Sequence, residues 1–169
     1  ALRGASENFT AAVAIGADAL TSFTPSTPTS TAVAVGSQAM RYSTDAFSSV
    51  AVGLSACAYV QGYNNVAIGQ SAMLGSVSTT AASIDNVAIG ANTLDELTTG
   101  SRNIAIGTDA GGEVRTGTDN VAIGSRALDE TQSGVGIIAI GTDSLGATGT
   151  NCPSYCIGIG VGATVRPGA

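Results

Sequence analysis

Large apolar residues in this chain come in short bursts of large–small–large, each closed by a glycine and set off by longer polar stretches. The bursts are Val13–Gly16, Val33–Gly36, Val50–Gly53, Val66–Gly69, Val87–Gly90, Ile104–Gly107, Val121–Gly124, Ile138–Gly141 and Ile157–Gly160. Eight read [Val/Ile]-Ala-[Ile/Val]-Gly, and the last is Ile-Gly-Ile-Gly. Their glycines lie 20, 17, 16, 21, 17, 17, 17 and 19 residues apart. A unit this short cannot bury its own apolar surface, so neighbouring copies must stack to make a core.

Period two predicts a strand at each burst, with Val and Ile on one face and Ala on the other. Branched side chains favour that conformation. The simplest expectation puts the Val/Ile pair inside and turns the alanines (Ala14, Ala34, Ala51, Ala67, Ala88, Ala105, Ala122 and Ala139) toward a partner chain. After each glycine comes a second small signal, as in Ala19-Leu20, Ala39-Met40, Ala72-Met73, Thr93-Leu94, Ala127-Leu128 and Ser144-Leu145. It fits a second short strand that returns a large residue to the interior. The remaining Thr, Ser, Gly, Asp and Asn supply turns. Two short strands and two turns make one flat coil. The expected fold is therefore all-β, a parallel β-solenoid or β-roll of about nine coils. Residues 1–10 form a lead-in or joint, 11–164 the repeat domain and 165–169 an exit. Asn65, Asn86, Asn103 and Asn120 each precede a core, where a ladder of turn amides outweighs a ligand-binding row.

Composition narrows the function. The chain has 169 residues, no His or Trp, 4% aromatics and 44% hydrophobic residues, the makings of a narrow core of small and branched side chains. A net charge of −6 argues against nucleic-acid partners, and no apolar run approaches the ~18 residues of a membrane-spanning helix. With no initiator Met and no signal peptide, the sequence reads as a processed product or a segment of something longer. Cys57 takes a Leu position and reads as a small buried hydrophobe. Cys152 and Cys156 bracket Pro-Ser-Tyr in a longer insertion. A loop disulfide between them would suit an extracellular setting, and two free thiols are the alternative.

Catalytic and metal chemistry finds little purchase. The absence of His removes the common triads and most metal sites, and the glycines follow the repeat rather than opening a phosphate-binding helix. No cofactor is expected. Asp95-Glu96 and Asp129-Glu130 share one place two coils apart, so ~10 Å separates them, near the spacing of an inverting glycosidase. Solvated acidic turns explain them more simply, because nothing nearby in sequence would raise one pKa. Asp18, Asp109 and Asp143 share another place, but the Gly-Gly-x-Gly-x-Asp calcium repeat is missing. No regular Thr-x-Thr grid for ice is present.

Insertions at 22–30, 41–49, 59–64 and 75–84 interrupt the repeat. Four of the seven aromatics, Tyr42, Phe47, Tyr59 and Tyr63, concentrate in residues 42–63, so these four are the candidate receptor-binding residues.

Asn65–Gly69, Asn86–Gly90 and Asn120–Gly124 resemble the Asn-x-Val-Ala-Ile-Gly repeat in the YadA-like heads of trimeric autotransporter adhesins. The longer form in Thr98–Ala110 is similar to repeats of phage tail fibres. The resemblance covers about residues 11–164, and the adhesin repeat is shorter than this one, which favours the phage-fibre version. It implies a left-handed β-roll, three chains side by side, and attachment to host surfaces. The expected function is accordingly non-enzymatic. The chain would be a segment at a cell or virion surface that forms or holds an attachment surface for a host glycan or protein. The alternative is a structural subunit that assembles end to end into an extracellular filament or sheath.

Overall fold

The computed structural model describes residues 9–22, 30–44, 46–76, 82–146 and 154–164. Nine strands run in sequence order through one parallel sheet: β1 (Phe9–Ile15), β2 (Ser30–Val35), β3 (Ser49–Val52), β4 (Val66–Ile68), β5 (Val87–Ile89), β6 (Ile104–Ile106), β7 (Val121–Ile123), β8 (Ile138–Ile140) and β9 (Ile157–Ile159). Every neighbour is parallel and in repeat register, as in Val87↔Ile104, Ala88↔Ala105 and Ile89↔Ile106. The fold is all-β, a parallel β-solenoid with one strand per turn. β1 reaches back to Phe9, into the stretch read as a lead-in.

The faces of the strands are the reverse of the expectation. Ala34, Ala51, Ala67, Ala88, Ala105, Ala122 and Ala139 are buried, whereas the Val/Ile pairs are half-buried or exposed. The reason is the thinness of the coil. In seven of the nine coils the residue four places after the glycine fills the interior from the opposite side: Leu20, Met40, Cys57, Met73, Leu94, Leu128 and Leu145 are all buried. Only a methyl fits across from them. In β9, where Gly158 replaces Ala, an added Cβ would meet Leu145 Cγ at 2.7 Å. The alanine stripe is thus half of the core of its own chain, not a contact with a partner.

The expected second strand is also absent among the described residues. The segment after each glycine is a turn with left-handed backbone at its second and fourth positions: Asp18 and Leu20, Gln38 and Met40, Asn92 and Leu94, Asp143 and Leu145. Left-handed leucine is unfavourable in isolation. Here it is held by a ladder of backbone bonds between coils, such as Leu94 N–H to Ala110 O at 3.1 Å and Leu128 N–H to Ser144 O at 2.9 Å. The burial of the side chain offsets the local strain.

Two further columns fix the stack. The strand-closing glycines have φ near +130°, and at each from Gly16 to Gly141 a Cβ would strike the next coil's backbone at 2.6 Å or less. The asparagines form the turn ladder that their spacing suggested. Asn103 Nδ2 donates to Asn86 Oδ1 at 3.1 Å and to Gly117 O at 2.9 Å, while its own Oδ1 accepts from the N–H and Nδ2 of Asn120 at 3.2 and 3.0 Å. Buried amides satisfied this fully bind one coil to the next rather than waiting for a ligand.

Candidate functional site

Three surfaces carry the chemistry. The first is the outer face of the sheet. None of the nine strands has a charged residue, and the two positions flanking the central Ala (Gly158 in β9) are Val or Ile in every coil. Ile68, Ile89, Ile104 and Ile106 are each 37–41% exposed. At ~4.8 Å per strand, nine strands make a flat aliphatic wall ~40 Å long.

The second is aromatic. The four candidate residues do not gather into one patch but stack as two pairs. Tyr42 and Tyr59 lie 4.9 Å apart and 9° from parallel; Phe47 and Tyr63 lie 6.4 Å apart at 23°. Arg41 sets its guanidinium 4.9 Å from the Tyr42 ring centre. The pairs belong to different columns. Tyr42 and Tyr59 follow their strand glycines by six residues; Phe47 and Tyr63 precede the next ones by six. Of the insertions that hold them, residues 23–29, 45 and 77–81 lie outside the described residues.

The third surface continues the Tyr42–Tyr59 column. The same offset from Gly69 and Gly90 is held by Gly75 and Glu96. Backbone bonds show the column to be continuous: Tyr42 N–H to Ala58 O, Tyr59 N–H to Leu74 O, Gly75 N–H to Asp95 O and Glu96 N–H to Gly112 O. Beside Gly75 a cleft of about 510 Å³ opens, lined by Tyr59, Leu74, Asp95, Glu96, Thr98 and Arg115. Arg115 donates from Nε and Nη2 to Glu96 Oε2, at 2.9 and 2.5 Å. Thr98 and Arg115 carried no signal in the sequence, and Glu96 read there only as part of a solvated acidic turn. Counting offsets from the strand glycines places Glu96 in the same column as Tyr42 and Tyr59.

Next to this cleft lies an acidic depression of about 220 Å³ that includes Asp95, Glu96, Asp109, Glu113 and Asp129. Asp95 and Asp129 converge over Gly112, where an added Cβ would meet their Oδ1 atoms at 3.5 and 2.6 Å. Contrary to expectation, the surroundings do perturb these carboxyls. Burial, with Glu96, Asp109 and Asp129 close by, outweighs a bond from its own backbone and pushes Asp95 up to about 6. Asp129 is also raised, first by burial and then by Asp109, Glu113 and Glu130. Among the described residues no group of three His, Cys, Asp or Glu side chains is arranged to hold a metal ion.

Elsewhere charge serves the stack. Arg102 makes a two-pronged pair with Asp119 at 2.6 and 2.8 Å, and Arg126 with Asp143 at 2.6 and 3.0 Å, each one coil on. The Arg102 bond holds Asp119 below its usual range. Asp18, Asp109 and Asp143 occupy the left-handed second turn position, which short polar side chains tolerate. Cys57 is buried as expected, and burial pushes its thiol up to about 12, so it is inert. Cys156 is disulfide-bonded, and Cys152, its expected partner, lies outside the described residues. Among the described residues no helix is long and apolar enough to cross a membrane. Comparison with protein families, with curated proteins and with solved structures gives no match.

Proposed function

We propose that this chain is a non-enzymatic segment of an extracellular fibre at a cell or virion surface, a phage tail fibre or a trimeric adhesin head. It associates side by side, as a left-handed homotrimer, to hold an attachment surface for host glycan or protein. The observation that carries this reading is the uncharged Val/Ile wall along all nine strands. Monomeric soluble proteins rarely leave contiguous apolar patches beyond a few hundred Å² in water. A flat wall repeating at the strand spacing is suited to the same wall on another copy, because their rows interdigitate in one register. The resemblance of Asn120–Gly124 and its relatives to adhesin and tail-fibre repeats supports the same assignment.

Sedimentation equilibrium of residues 1–169 tests it. The expected mass is three times the 16.4 kDa of one chain. Ile106→Asp with Ile123→Asp should lower it to one chain and leave the β circular dichroism spectrum intact, since both side chains point away from the coil interior. A stable monomer for the unmodified chain refutes the proposal. Electron micrographs showing filaments of indefinite length would replace it with the end-to-end structural subunit.

A further inference from the structure

We propose that the cleft between Tyr59 and Glu96 binds a neutral pyranose ring of a glycan. This rests on the attachment reading and names its ligand class. Tyr42 and Tyr59 stack at 4.9 Å, the spacing of the coils themselves. Gly75 is on the next rung of the column and Glu96 on the one after, and both line the cleft with Tyr59. The opening is therefore about two rungs deep, ~10 Å, which admits one ring in contact with Tyr59 and still within hydrogen-bond reach of Glu96.

The lining selects a ring that is apolar on its face and polar at its edge. One face of Tyr59 is taken by Tyr42, which carries Arg41 in turn, so the ring is held in place before a ligand arrives. The C–H face of a pyranose packs on an aromatic ring. Its hydroxyls can donate to Asp95, Glu96 and the Thr98 oxygen, and accept from the N–H groups of Arg115 that Glu96 leaves unused. A peptide aromatic would satisfy Tyr59 but strip water from these polar groups without replacing it. Anionic sugars meet Asp95 and Glu96 directly, with Asp109, Glu113 and Asp129 behind them.

Saturation-transfer difference NMR on the full chain provides the test. The probes are the methyl pyranosides of glucose, galactose, mannose and N-acetylglucosamine, with methyl sialoside and N-acetyltyrosinamide for comparison. At least one neutral pyranoside should receive saturation, and the sialoside should not. Tyr59→Ser should weaken that binding ~tenfold or more, Tyr59→Phe should retain it, and Glu96→Gln, a change at an exposed side chain, should weaken it with the fold unchanged. Transfer to no neutral pyranoside overturns the proposal. So does a preference for the tyrosinamide or sialoside, or binding that survives both Tyr59→Ser and Glu96→Gln. Sedimentation of the same samples separates the two readings. An intact oligomer without pyranoside transfer removes the cleft assignment alone. A monomer that still binds pyranoside removes the fibre reading and upholds the cleft, which one chain forms by itself.

Discussion

Gly107→Ala should be among the most damaging single-methyl changes in the chain, and Gly160→Ala should be much milder. The two glycines share a left-handed backbone, φ +132° and +119°, that disfavours any side chain. That strain is worth ~1–3 kcal/mol at either site. They differ in what a Cβ would meet. At Gly107 it would lie 2.6 Å from Gly124 O and 2.7 Å from Gly124 C; at Gly160 nothing lies within 4 Å. Relieving the first contact to an ordinary 3.4 Å moves the coils apart by about 0.8 Å. The bonds that span this junction are Gly124 N–H to Ile106 O at 2.8 Å and Arg126 N–H to Thr108 O at 2.9 Å. Lengthened by that much they cease to be hydrogen bonds, at ~1 kcal/mol each. Gly107→Ala should thus cost ~3–5 kcal/mol and Gly160→Ala only the ~1–3 kcal/mol of strain. Equilibrium urea unfolding measures both, and hydrogen exchange at the Gly124 and Arg126 amides reports the junction directly. Equal costs for the two variants, with those amides still protected in Gly107→Ala, would refute the claim that coil-to-coil contact selects glycine here.

Stability should also depend on pH through the acidic depression. Asp95 has a folded pKa of about 6 against an ordinary 3.8, so the folded state holds its proton more tightly. Its stabilising contribution is full below pH ~4 and is lost as pH rises through 6, with Asp129 acting in the same direction. Both groups are half exposed, so the combined effect is only ~1 kcal/mol after screening. Tm should rise between pH 7 and pH 5, and Asp95→Asn should flatten that rise; a Tm that falls over this interval contradicts the assignment. Asp119, held low by Arg102, has the opposite sign and should erode stability in stronger acid. Asn103→Leu removes the middle rung of the amide ladder and leaves Asn120 N–H and Gly117 O without partners in the interior, at ~2–4 kcal/mol. An unchanged urea midpoint would show the ladder to be incidental.

The period of the repeat, the parallel stacking and the asparagine ladder were all legible in the sequence, because each depends only on spacing. The direction of the strand faces was not. Alternation says that Val and Ile share a side but not which side is inside. That is settled by the width left over once Leu94 or Leu128 has entered from the turn. The left-handed turn was hidden for a related reason: Leu20, Met40 and Leu145 are residues that rarely adopt φ near +50°. Gly111 stands at that same fourth position and Gly162 at the second, with φ of +59° and +60°, and they were the available clue. The candidate site was half legible. Tyr59 stood out as an aromatic, whereas Glu96 read as a solvated acidic turn and Arg115 drew no reading at all; stacking brings them to one cleft.

Stacking also explains why the cleft lies where it does. In a solenoid of this kind each offset from the strand glycine becomes a column, and neighbours within a column are one rung apart. A column of like residues closes on itself: alanines pack, asparagines bond, Arg102 finds Asp119 and Arg126 finds Asp143. Such columns are spent on the fold. The cleft lies where the Tyr42–Tyr59 column breaks at Gly75, before Glu96. Because the flanking rungs stay fixed by the backbone ladder, the opening keeps its depth whether or not it is occupied. On the proposed reading, recognition would fall at a break in the columns, and the regular rungs on either side would supply the rigidity that binding needs.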